Sequence, residues 1–340
     1  MSTVPTRLGP VRGEHRADGT LRFLGIPYAQ PPVGPLRFTA PVPPRPWTEP
    51  LEATAYGPTA QRRPHSANPT IPEPSIPGDA VLNLNVFTPS IHGALPVLVW
   101  IHGGGFVAGS AASPWYDGAS FNRDGVLLVS IGYRLGDEGF RDNAAVLDWI
   151  AALEWVRDNI AAFGGDPNRV TVAGHSAGGT AVLTLLATPA ADGLFHAAIS
   201  ASSPGPGLRP VGPDPDVDLI TSSRIPLMIG LTTHEFGDVE TLFRRPTTVI
   251  VEARARAGCL TWQYEFAWSV ASFHCADVPF IFDLLHAERV CEVLGEAPPQ
   301  SLADAVHGAW VRFATDHDPG PTWPRYTPTN HAVQLWTGTS

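Results

Sequence analysis

The chain has 340 residues, 44% of them apolar, and a formal net charge of -10, which is enough material for a sizeable core in a chain with no uninterrupted apolar span of membrane length. The acidic balance argues against nucleic acid or an anionic membrane as partner. All 22 basic residues are arginine, so a Ser-Lys dyad, a P-loop lysine and a pyridoxal Schiff base are excluded together.

The opening residues lack the apolar stretch of a secretory signal, giving the expectation of a cytoplasmic protein. Proline is dense over residues 31–50 and again over 64–77, which rules out long helices there. Phe23, Tyr28, Phe38 and Trp47 among these prolines favour extended chain wrapped on a surface over a flexible linker. Strands are expected over 82–87, 96–101 and 125–131. The second runs into Gly103-Gly104-Gly105, where the lack of side chains lets consecutive backbone N–H groups point into one cavity, as in an oxyanion loop. A phosphate cradle is the alternative, but neither G-K-[ST] nor G-x-G-x-x-G follows.

Residues 143–163 read as a helix, because Val146, Ile150, Leu153, Val156 and Ile160 recur at three- and four-residue steps. Gly164-Gly165 closes it. Two apolar runs follow, a strand over 170–173 and a helix over 180–187, with Gly174-His175-Ser176-Ala177-Gly178 as the turn between them. This is the context that a G-x-S-x-G nucleophile elbow requires. Ser176 is the candidate nucleophile, and the amides of Gly104, Gly105 and Ala177 are the candidate oxyanion donors; an incidental serine in a glycine-punctuated turn is the bland alternative. Strands over 197–200, 226–231 and 260–266, helices over 279–293 and 302–314, and a proline-rich tail complete the series. Strands alternating with helices imply an α/β protein with a mostly parallel sheet covered on both faces. Without repeats or a domain break, residues 1–340 read as one domain, 1–95 being the wrapping segment with the first strands and 96–340 the catalytic core.

Cys259, Cys275 and Cys291 form no CxxC pair and leave an odd thiol, so they read as buried free thiols. His274 stands next to Cys275, but no second closely spaced ligand pair accompanies it, and no metal or organic cofactor is expected.

The segments FLGIPYAQPPVGPLRF, NLNVFTP, WIHGGGFVAGS, ALEWVRDNIAAFGGDPNRVTVAGHSAGG and PTWPRY resemble the successive motifs of the type B carboxylesterases, α/β-hydrolases that include the cholinesterases. The resemblance covers most of the chain and implies an α/β-hydrolase fold acting on a small-molecule ester. It implies an acid at Glu235 in LMIGLTTHEFGDV and a histidine at His274 in FHCADVPFIF, and so a triad of Ser176, Glu235 and His274 in the hydrolase order. Asp238 is the rival acid; His234, His286, His307 and His317 are rival histidines without the matching flank. Three departures stand out. His175 occupies the place of an acidic residue before the serine, and packing beneath the elbow is its expected role. Val81 replaces a cysteine. The chain is also short on both sides of Glu235, which implies a catalytic core with reduced lid and gorge segments and a shallow, open pocket for short-chain or aryl esters. An acyltransferase or lactone-forming enzyme with the same triad and a non-catalytic binding protein of the same fold are the competing readings.

Overall fold

The computed structural model describes residues 1–63, 68–205 and 212–338, so residues 64–67 of the second proline-rich stretch lie outside the described residues. Side chains of the middle strands alternate between two cores, as a period of two requires. In the strand Leu95–Ile101, Val97, Val99 and Ile101 enter one core, while Leu98 and Trp100 enter the other. The helix Ala144–Asn159 buries Trp149, Leu153 and Val156 in the first core. Across the sheet, the helix Gln300–Asp316 buries Leu302, Val306, Trp310 and Phe313 in the second.

Twelve strands of the described residues join in one sheet: β1 Ser2–Pro5, β2 Pro10–His15, β3 Leu21–Pro27, β4 Leu51–Glu52, β5 Asn83–Thr88, β6 Leu95–Ile101, β7 Leu127–Ile131, β8 Gly165–His175, β9 Ala197–Ala201, β10 Leu227–Thr232, β11 Thr261–Phe266 and β12 Val333–Trp336. Their order is β1-β2-β3-β5-β7-β6-β8-β9-β10-β11-β12, with β4 on β2. Pairing is antiparallel from β1 to β7 along this path and parallel from β7 to β12. The mostly parallel sheet with helices on both faces matches the expected class. Because β6 lies between β7 and β8, successive crossovers leave its two sides in opposite directions, and a crevice opens at the carboxyl ends of the strands. Register then sets the neighbours there: Ile101 pairs with Gly174, which brings the glycine loop after β6 beside the turn after β8.

The proline-rich chain after β3 wraps as expected. Trp47 Nε1 donates to the Pro10 carbonyl at 2.8 Å, and the Gln30 amide donates to Val42 O at 2.8 Å. One expected helix fails: residues 279–293 contain only the short helices Val278–Ile281 and Val290–Leu294. Asp283 and Arg289 between them adopt φ of +48° and +63°, breaking the helix so that Phe280, Ile281, Phe282 and Leu285 all enter the second core. A single helix would have sent part of this set to solvent. The helix Arg245–Arg256 had no counterpart in the expectations. Its Arg254 is buried without a carboxylate partner among the described residues and instead donates to the carbonyls of Ile220, Ser223, Ile225 and Leu260 at 2.6–3.3 Å. One guanidinium thereby ties together the segments on either side of β10.

Candidate active site

Ser176 stands where β8 turns into the helix Ala177–Leu186, with φ +57° and ψ -122°, a backbone conformation that costs a non-glycine residue of order 1–3 kcal/mol. The surrounding glycines make the turn possible. A Cβ on Gly174 would lie 2.4 Å from the Gly178 carbonyl, and one on Gly178 only 2.0 Å from Ile101 O. The Ser176 amide is held by Ala201 O at 2.8 Å. The helix that starts at Ala177 aims its unpaired amides and positive dipole end at the same point.

Glu235 lies three residues beyond β10, its side chain shut away from solvent. The Thr232 amide donates to its Oε1 at 2.9 Å, and its Oε2 accepts from His274 Nδ1. A carboxylate only accepts, so Nδ1 carries the imidazole proton and Nε2 is left as an acceptor. The Ser176 hydroxyl donates to that Nε2 at 2.9 Å. The three residues expected from the sequence are therefore brought into one chain of hydrogen bonds. The rivals are placed elsewhere. Asp238 is exposed and accepts from the Thr241 amide at 3.3 Å. His234 pairs with Ser272 Oγ at 2.7 Å, and His307 with Ile281 O at 2.8 Å and Asp124 Oδ2 at 3.1 Å. His286 is exposed, and His317 ends the helix Gln300–Asp316 in a left-handed conformation.

Gly104 and Gly105 have φ of +103° and +62°. A Cβ at Gly104 would strike Ala108 O at 2.3 Å, whose amide is in turn folded back onto Gly104 O at 3.0 Å. Gly104, Gly105 and Ala177 line one cavity of about 390 Å³ with Ser176 and His274. Beneath the loop, His102 stacks on Tyr133 with ring centroids 4.5 Å apart, and its Nδ1 bonds Gly103 O at 2.8 Å. Burial pulls the His102 pKa from 6.5 down to about 4, opposed only by that bond. Between these values the unfolded chain binds a proton that the folded one refuses, so this contribution is complete above pH 6.5 and lost as pH falls toward 4. Wild type should lose about 3 kcal/mol of unfolding free energy across that interval that His102→Gln does not lose. Parallel denaturant titrations of the two proteins at pH 7 and 4 measure the difference; equal losses would refute it.

Several residues here had no sequence signal, because only the fold brings them in. Asn68, Pro69, Thr70, Ile71 and Glu73 form one side of the cavity, so the second proline-rich stretch supplies a wall where an open pocket was expected. Burial raises the Glu73 carboxyl to about 8, which keeps that wall uncharged near neutrality and suits a neutral substrate. Phe236 packs edge-on against His274, centroids 4.7 Å apart, with Phe243 at 5.7 Å. His175 is buried against His274 at 4.8 Å between centroids and lines the same cavity. The three cysteines are free, but Cys291 is exposed and Cys275 half-buried, contrary to the expectation of buried thiols: Cys291 lies in the short helix Val290–Leu294, whose Val290 and Leu294 take the buried positions, and Cys275 lines the cavity.

The family model described as Carboxylesterase family matches residues 1–206. Para-nitrobenzyl esterase of Bacillus subtilis (strain 168) is 30% identical over 95% of this chain and 92% of its own. That alignment spans 452 positions against 340 residues here, so the relative carries segments absent from this chain. Phenmedipham hydrolase of Pseudarthrobacter oxydans is 45% identical over 57% of this chain, and the match spans only 41% of that relative. Among solved structures, a thermophilic pNB esterase superposes with a TM-score of 0.90 at 28% identity, covering 99% of this chain and 96% of that one.

Proposed function

This chain belongs to the carboxylesterase family of α/β-hydrolases, and from that premise we propose that it is a serine carboxylester hydrolase acting through an acyl-enzyme on short-chain or aryl esters. The observation that carries the reading is the hydrogen-bonded line Ser176–His274–Glu235, ending under the glycine-loop amides in one cavity. His274 Nε2 takes the Ser176 proton as Oγ attacks the ester carbonyl, and Glu235 offsets the imidazolium that forms. The amides of Gly104, Gly105 and Ala177 receive the oxyanion. His274 then returns its proton to the leaving alcohol, and water repeats the sequence to release the acid. No metal or organic cofactor enters any step. The unpaired thiols support a reducing, cytoplasmic setting, and no helix among the described residues is long and apolar enough to cross a membrane.

The test is kcat/KM for p-nitrophenyl esters of two to twelve carbons. A cavity of about 390 Å³ walled by Ile71, Val107 and Phe236 should give about a tenfold gain from acetate to butyrate, since each buried methylene contributes about 0.8 kcal/mol. The gain should vanish once the chain outgrows the cavity. A steep rise continuing to twelve carbons would refute the short-chain assignment, and absence of turnover across the series would refute the hydrolase.

A further inference from the structure

One nitrogen of His175, one of His274 and the Cys275 sulfur all lie within 4.8 Å of one another, with His175 Nδ1 at 4.0 Å from Cys275 Sγ. Each imidazole has a buried carboxyl group behind it. Glu235 accepts from His274 Nδ1, and Asp277 Oδ1 lies 3.7 Å from His175 Nε2. His175 Nε2 and both Asp277 oxygens have no hydrogen-bond partner among the described residues, although the two side chains are only 1% and 0% exposed. Burying an imidazole and a carboxyl group without partners is costly. A cation on His175 Nδ1 fixes the ring proton on Nε2, the nitrogen that faces the Asp277 carboxyl group at 3.7 Å. Histidines that bind metals are typically held in this way, with the second nitrogen on a carboxylate, and here two such pairs converge on one thiol.

We propose that His175, His274 and Cys275 form an inhibitory site for a borderline-soft divalent cation of the zinc type, backed by Asp277 and Glu235. Two imidazole nitrogens and a thiolate are a donor set that zinc favours. With bonds of about 2.0–2.3 Å to a tetrahedral ion, the donors must close by about 1 Å from their present spacing. Access exists, since all three residues line the cavity above Ser176. Binding forms the metal–sulfur and metal–nitrogen bonds, releases the Cys275 proton to water and changes no oxidation state. His274 Nδ1 is committed to Glu235, so the ion takes Nε2, the nitrogen that would accept the Ser176 proton. The inhibition therefore rests on the proposed hydrolase mechanism, whereas the binding does not.

The experiment has two arms. Zinc chloride titrated into the hydrolysis of p-nitrophenyl acetate should inhibit at micromolar concentration, with activity restored by EDTA. Cys275→Ser and Asp277→Asn should each raise the half-inhibiting concentration by about 10–100-fold, the second variant serving if the first fails to fold. Cobalt chloride added to Ser176→Ala protein should produce a thiolate-to-cobalt charge-transfer band, absent in Ser176→Ala/Cys275→Ser. No band, or unchanged half-inhibition in the variants, overturns the site. A band in Ser176→Ala beside a wild type that hydrolyses no ester leaves the site standing and sinks the hydrolase; hydrolysis by wild type without a band in Ser176→Ala does the reverse.

Discussion

Ser176→Ala should lower kcat for p-nitrophenyl butyrate by about 10⁶ while leaving the thermal unfolding midpoint near that of wild type. Removing Oγ deletes the attacking atom, and neither His274 nor the glycine loop can then form an acyl-enzyme. The residual rate, about 10³–10⁴ over water, would come from the oxyanion amides and binding alone. The side chain contributes one hydrogen bond, to His274, and the turn is fixed by backbone bonds through Ala201 O and the Thr180 amide, so folding should not suffer. A fluorophosphonate probe should label wild type stoichiometrically and the variant not at all. Labelling that survives the substitution would identify another nucleophile.

Glu235→Gln should cost about 10⁴ in kcat. The replacement keeps the shape, and its amide oxygen can still face the Thr232 amide that now donates to Oε1 at 2.9 Å. That choice turns an NH₂ donor toward His274 Nδ1, which favours the tautomer with its proton on Nε2 and leaves no acceptor for Ser176. The negative charge that stabilises the imidazolium is lost as well. Asp238→Asn is the control: it is exposed and bonds Thr241, so its kcat should stay within about twofold of wild type, as for a surface substitution away from the site. Damage from Asp238→Asn with Glu235→Gln spared would exchange the two roles.

The parts of this molecule that could be read from its sequence are those in which local chemistry and tertiary structure make the same demand. The elbow is one. Gly174 and Gly178 are dictated by backbone contacts at 2.4 and 2.0 Å, and those contacts exist because a strand, a turn and a helix follow in that order. The helix Ala144–Asn159 is another, since its apolar stripe is also its buried face. The 279–293 segment shows the opposite case, in which burial of Phe280, Ile281, Phe282 and Leu285 overrode helix continuity. The strands β1, β4 and β12 have only four, two and four residues, so their pairing comes from neighbours in the sheet more than from their own pattern. For the site, Ser176, Glu235 and His274 follow strand ends with recognisable flanks. The wall at Asn68–Glu73 and the pairing of His175 with Asp277 bring together residues about 100 positions apart, and no local pattern encodes that.

The backbone of Ser176 carries a consequence on an evolutionary scale. Its φ of +57° with ψ of -122° is a conformation that glycine adopts at little cost and serine does not. Replacement by glycine would relieve about 1 kcal/mol of strain at the position where it removes the proposed nucleophile. On the proposed mechanism, stability and chemistry thus pull this one codon in opposite directions. A descendant freed from selection for turnover would drift downhill into an inert and sturdier copy of the same fold.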